Sequence, residues 1–122
     1  MGLQPTLLGG LSFITMADGR ALRLIRLGAD WARNGCLVAH FHDQYCGIFL
    51  ISYTKYSGGN YYKIRCIGDR DTPTFYTDGI YIYLKENYSG GTSAKVVLLG
   101  STEKLESISI DTSTMTELSV TQ

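Results

Sequence analysis

The sequence predicts an all-β protein, an antiparallel β-sandwich of jelly-roll-like form. Short runs of β-forming residues recur at about ten-residue spacing, joined by turns rich in Gly, Asn, Asp and Ser. Several of these runs alternate with a period of two, the pattern of a strand with one buried face. Only residues 20–27 show helical spacing, through Leu22 and Ile25, and Gly28 interrupts the run at once. With 122 residues and an apolar fraction of 44%, the chain can build one core. Folding would bury roughly two-thirds of its unfolded surface without help from disulfides or a structural metal.

Taken in order, residues 1–19 read as an amino-terminal approach segment, with Pro5, Gly9, Gly10 and Gly19 as breaks and residues 11–16 as a short strand. The sandwich is expected over residues 20–122. Residues 20–27 read as its first strand. In residues 35–42, Leu37, Ala39 and Phe41 oppose Cys36, Val38, His40 and His42. A turn at Asp43 and Gln44 leads into residues 47–53, apolar on both faces and therefore central. The turn Ser57-Gly58-Gly59-Asn60 returns the chain as residues 61–67, where Tyr62, Ile64 and Cys66 alternate with Tyr61, Lys63 and Arg65.

After a polar link and an extended piece at Phe75 and Tyr76, residues 79–85 place Ile80, Ile82 and Leu84 opposite Tyr81, Tyr83 and Lys85. A glycine-rich turn at residues 87–93 predicts residues 94–99 as the hairpin mate of that strand. Residues 105–110 read as another strand, and residues 111–122 as a last strand or a loose end.

Eleven basic and eleven acidic residues cancel. A nucleic-acid partner normally requires a basic face to displace counterions, so none is expected. The cluster Arg20, Arg23, Arg26 and Arg33 reads as a solvated edge. No apolar run approaches a membrane span, so no membrane insertion is expected, and no secretory leader is evident. Cys36, Cys46 and Cys66 form an odd set without metal-ligand spacing. They read as reduced thiols, with a Cys36–Cys46 bridge left open.

His40 and His42 share one face of a strand and could share a metal, but a stable site needs three or four ligands, and only Cys36 and Asp43 lie nearby. Two solvent-facing or interface histidines are the simpler expectation. No nucleophile elbow, phosphate loop or dinucleotide fingerprint is present. The expected sets of catalytic residues, cofactors and bound metals are therefore empty.

Tyrosine is the residue in excess, with nine copies beside one Trp and four Phe. Rings placed opposite the apolar face of their strand offer a large contact area with a polar tip. Tyr56, Tyr61, Tyr81 and Tyr83, with Trp31, are the expected receptor-binding or subunit-interface residues.

The stretches WARNGCLVAHFH (31–42), GIFLISYTK (47–55) and GIYIYLKENYSGGTSAKVVLLG (79–100) together resemble the C-terminal head domains of phage and prophage tail fibres. The resemblance spans about residues 20–110, and the tail beyond Ile110 has no counterpart. It implies a homotrimeric β-sandwich at the end of a fibre, binding a bacterial surface carbohydrate or protein without catalysis. It also implies a virion location, after synthesis in the host cytoplasm. The alternatives are a stand-alone carbohydrate-binding, lectin-like module and, third, a small enzyme using the His and Cys residues.

Overall fold

The computed structural model describes residues 11–88 and 93–122. It is an all-β sandwich of two sheets, and every named strand pair but one is antiparallel. In chain order the strands are β1 (Leu11–Met16), β2 (Ala21–Arg26), β3 (Arg33–His42), β4 (Tyr45–Tyr56), β5 (Gly59–Gly68), β6 (Thr74–Thr77), β7 (Tyr81–Lys85), β8 (Ala94–Leu99), β9 (Thr116–Leu118) and β10 (Val120–Thr121). The larger sheet runs β1-β8-β3-β4-β5-β10 and the smaller β2-β7-β6-β9. The exception is β10, which lies parallel to β5.

One core lies between the sheets. Alternation sends Val38, Phe49, Ile51, Ile64, Val96 and Leu98 inward from the larger sheet, where they meet Leu22, Leu24, Ile25, Phe75, Ile82 and Leu84 of the smaller. Phe49 and Phe75 touch across the gap, their ring centroids 5.1 Å apart. In β5, Ile64 and Cys66 are buried and Tyr61, Lys63 and Arg65 exposed, as their alternation predicts. β4 lies between β3 and β5, inside the sheet as expected.

The helical spacing of Leu22 and Ile25 has a local cause. The pairing of β2 with β7 shifts register between Arg23 and Ile25, a β-bulge. A bulge adds one residue to one strand and so breaks the strict period of two. Leu22, Leu24 and Ile25 are consequently all buried.

Several expectations are corrected. Residues 11–16 are an edge strand of the larger sheet, paired with β8 along their whole length, so the sandwich begins before residue 20. β7 and β8 are no hairpin: β8 pairs with β1 and β3, and β7 with β2 and β6 in the opposite sheet. Both strands carry a core-facing apolar set, and each sheet supplies one side of the core. The expected turn between them falls partly on residues 89–92, outside the described residues. Residues 105–110 make one isolated bridge, Ala21 to Ile108. Arg20 fastens that segment through Ser107 and Ser109, donating to both hydroxyls and to the Ser107 carbonyl at 2.7–2.8 Å. Ile80 precedes β7 and is 55% exposed, so it does not share the burial of Ile82 and Leu84.

Candidate functional site

Three places in the sandwich carry unusual chemistry. The first is a pair of exposed aromatic rings. Trp31 lies between β2 and β3, and Tyr56 ends β4. Their ring centroids are 4.9 Å apart at 83°, an edge-to-face pair. Two turns brace each other to hold them. The Trp31 amide donates to the Lys55 carbonyl at 2.6 Å, the Lys55 amide donates to Ala32, and the Gly58 amide donates to the Asp30 carboxylate. Trp31 adopts φ 71°, a left-handed conformation that costs a bulky L-residue about 1–2 kcal/mol. Nevertheless its side chain is 62% exposed and that of Tyr56 48% exposed. Trp31 is thus an exposed ring on a backbone conformation that its residue type disfavours.

Tyr61 is also exposed, in a separate position on β5 opposite Thr54. Tyr81 and Tyr83 lie on the other sheet. Tyr83 is 5% exposed, which leaves it little surface for a partner. Its hydroxyl donates to Asp78 at 2.7 Å, and Tyr81 packs against it at 5.9 Å. Burial and then the Asp78 carboxylate push the Tyr83 hydroxyl up to about 12. Tyr81 is half-buried, with the guanidinium groups of Arg23 and Arg26 5.3 and 5.7 Å from its ring. The expected basic edge is thereby largely absorbed: Arg20 holds Ser107, and Arg23 reaches Glu106 at 3.6 Å.

The second place is a buried polar cluster. His40 and His42 point into the sandwich and are almost fully buried, which overturns their expected solvent-facing position. Alternation alone left two apolar faces on β3, and the smaller sheet covers the one bearing Cys36 and Val38. His40 Nε2 meets Glu86 Oε1 at 2.6 Å, and Glu86 also accepts from the Thr72 hydroxyl and the Tyr88 amide. Burial by itself would raise the Glu86 carboxyl, but these bonds outweigh it and hold the group below the ordinary carboxylate range. Asp71 Oδ2 lies 3.7 Å from His40 Nδ1 and 3.5 Å from His42 Nδ1 without forming a hydrogen bond to either. Among the described residues no three His, Cys, Asp or Glu side chains group so as to hold a metal ion.

The three cysteines are free thiols. Cys36 is buried, and burial pushes its thiol up to about 12, which leaves negligible thiolate near neutral pH. Cys46 is exposed on the opposite face of the sheet.

The third place is the outer face of the larger sheet. The ladders align Leu11, Leu99, Leu37 and Leu50 in one row across β1, β8, β3 and β4. The next row holds Phe13, Val97, Ala39, Ile48 and Ile67. All nine side chains are exposed or half-buried. The sequence signal for this face was present in residues 47–53, whose two apolar faces suggested cover on both sides. The Glu86 and Asp71 partners of the histidines had no such local signal. No helix of the described residues is long and apolar enough to cross a membrane. No known protein family, curated protein or solved structure matches the chain.

Proposed function

We propose that this chain is a non-enzymatic head or adhesion domain of phage or prophage tail-fibre type, a jelly-roll-like homotrimer that binds a bacterial surface receptor, carbohydrate or protein. The observation that carries this reading is Trp31: exposed, backbone-strained, and braced against Tyr56 by hydrogen bonds between two turns. A core role would bury the ring, and a passive surface position would relax to a residue suited to φ above zero. Rigid aromatic rings lose little entropy when a ligand immobilises them. Such a domain would serve on the virion, with neither cofactor nor nucleic acid as partner.

The second reading is a stand-alone carbohydrate-binding module. It is favoured by the aromatic pair being complete within one chain. The mass in solution separates the two, since this module needs no trimer.

Trp31 is the only tryptophan in the chain, so its fluorescence reports on this one position. Titration with a panel of purified bacterial surface polysaccharides and outer-surface proteins should yield at least one partner that shifts the Trp31 emission. For that partner, Tyr56→Ala should weaken binding about tenfold, the equivalent of about 1.4 kcal/mol, without loss of cooperative melting. A partner that binds with unchanged Trp31 emission and full tolerance of Tyr56→Ala would place the receptor contact elsewhere. That result would defeat the reading.

A further inference from the structure

We infer that the outer face of the larger sheet lies against an anionic phospholipid surface, with its apolar rows among the acyl chains and its cations at the level of the phosphates. The inference goes beyond the receptor proposed above and makes no use of the Trp31–Tyr56 pair. It starts from charge. The six strands of the larger sheet contain no acidic residue, and their outer face carries Arg33, Lys63, Arg65 and Lys95, all exposed. Among the described residues none of these four takes part in an ion pair. Because the chain has no net charge, its remaining residues include four more acids than bases. A molecule polarised in this way turns one face toward a negative surface.

The cations border an apolar centre. In the ladders Arg65 continues the row of Leu11, Leu99, Leu37 and Leu50, while Lys63 stands one row beyond it and Arg33 two. Lys95 borders the other row, its Nζ 5.5 Å from the centroid of the Phe13 ring. Phe13 is 67% exposed, the most exposed large apolar residue of the described chain. At Gly35 the absence of a side chain leaves a notch of about 480 Å³, walled by Leu37, Leu50 and Leu99, with Lys63 and Arg65 at its rim. Apolar walls below two cations suit an acyl chain with a phosphodiester head, since a guanidinium matches phosphate oxygens in pairs.

Two other occupants fit less well. Nucleic-acid bases stack on aromatic rings, whereas eight of the nine side chains in the two apolar rows are aliphatic. A folded protein partner needs about 800 Å² on each side, and rows crossing strands at about 4.8 Å spacing give about half of that. A fluid bilayer needs no matching shape, because buried apolar area and the attraction of Lys and Arg to anionic lipid act together. The smaller sheet lacks this character: Arg23 reaches Glu106 at 3.6 Å, and Glu117 is exposed on β9. The contact is made on the membrane surface and spans nothing.

The test is flotation of the full chain with vesicles of phosphatidylcholine alone and of equal parts phosphatidylcholine and phosphatidylglycerol. Binding to the anionic vesicles should be at least about tenfold stronger at low salt and should weaken as salt screens the cations. Each Lys or Arg near an anionic surface strengthens binding about fivefold, so Lys63→Gln combined with Arg65→Gln should weaken it about 25-fold. Phe13→Ser should weaken it about tenfold through lost apolar contact. These side chains are exposed, so cooperative melting should be retained in both variants. Lys104→Gln, at an exposed position outside the sheet, makes the same change of charge as Lys63→Gln and should leave binding unchanged. Equal binding to both kinds of vesicle, or binding to neither, would overturn the inference. So would a loss with Lys104→Gln as large as with Lys63→Gln alone, because net charge and not this face would then draw the chain. Displacement by inorganic phosphate at matched ionic strength would mean a free-anion site and would overturn it as well.

Discussion

Removing the Glu86 carboxylate should be among the most damaging single changes in the fold, although the residue lies at the end of a strand in a chain of no net charge. Its side chain is fully buried, 2.6 Å from His40 Nε2, and it also accepts from Thr72 and the Tyr88 amide. Glu86→Ala leaves the buried His40 N–H without an acceptor and opens a void beside it. Breaking a buried pair in this way costs about 3–5 kcal/mol. For a chain of 122 residues the unfolding entropy converts each kcal/mol to about 4 °C, so the melting temperature should fall by about 12–20 °C. Glu86→Gln keeps the shape and one acceptor for His40. Its amide can donate to the Thr72 hydroxyl but faces the Tyr88 N–H donor to donor. That mismatch costs about 1–3 kcal/mol. The assay is thermal unfolding by circular dichroism at a fixed protein concentration, because self-association would make the midpoint concentration-dependent.

The sign of the pH dependence follows from the lowered carboxyl. Glu86 lies below its ordinary value of 4.5 in the folded state. Its contribution is therefore complete above that pH and is lost as pH falls through the lower folded-state value. The wild type should lose stability through this acid window, and Glu86→Gln should show a flatter profile there. If Glu86→Ala melted within about 3 °C of the wild type, less than 1 kcal/mol by the same conversion, the His40–Glu86 bond would not be holding the core. The inward placement of His40 would then be wrong as well.

Three further outcomes are expected. Ile82→Ala should cost about 2–5 kcal/mol and Ile80→Ala less than about 0.5 kcal/mol in urea unfolding, because only Ile82 is buried in the core; equal losses would mean that the strand faces are misassigned. In ultraviolet titration one tyrosine should ionise late, near 12, and Tyr83→Phe should abolish that step; since the folded value lies above the ordinary 10, the associated stability is intact below pH 10 and disappears as pH rises through 12. Under native conditions a thiol reagent should label Cys46 alone, and Cys36 should react only on unfolding, its thiol being pushed up to about 12 by burial; mass mapping of the labelled peptide reads this directly.

The sequence alone determined the local geometry of this protein. The glycine-rich breaks placed strands at residues 11–16 and 94–99 with their observed bounds, and the Ser-Gly-Gly-Asn turn joined β4 to β5 in register. It also assigned the faces of β5, because Lys63 and Arg65 cannot share the burial of Ile64 and Cys66. Trp31 and Tyr56 were singled out by residue type, but nothing in the sequence made them neighbours. Only the tertiary structure decided the remainder. Both faces of β3 and β4 are largely apolar, so alternation could show that the faces differ but not which one meets the second sheet. The answer buried His40 and His42 and left Leu37 and Leu50 outside. Likewise, β8 resembles a hairpin mate of β7 yet pairs with β1 and β3, and Glu86 reaches His40 across 46 positions of sequence. Propensity and alternation act between residues one or two apart, whereas strand partners and buried ion pairs are chosen by the lowest free energy of the whole packed chain.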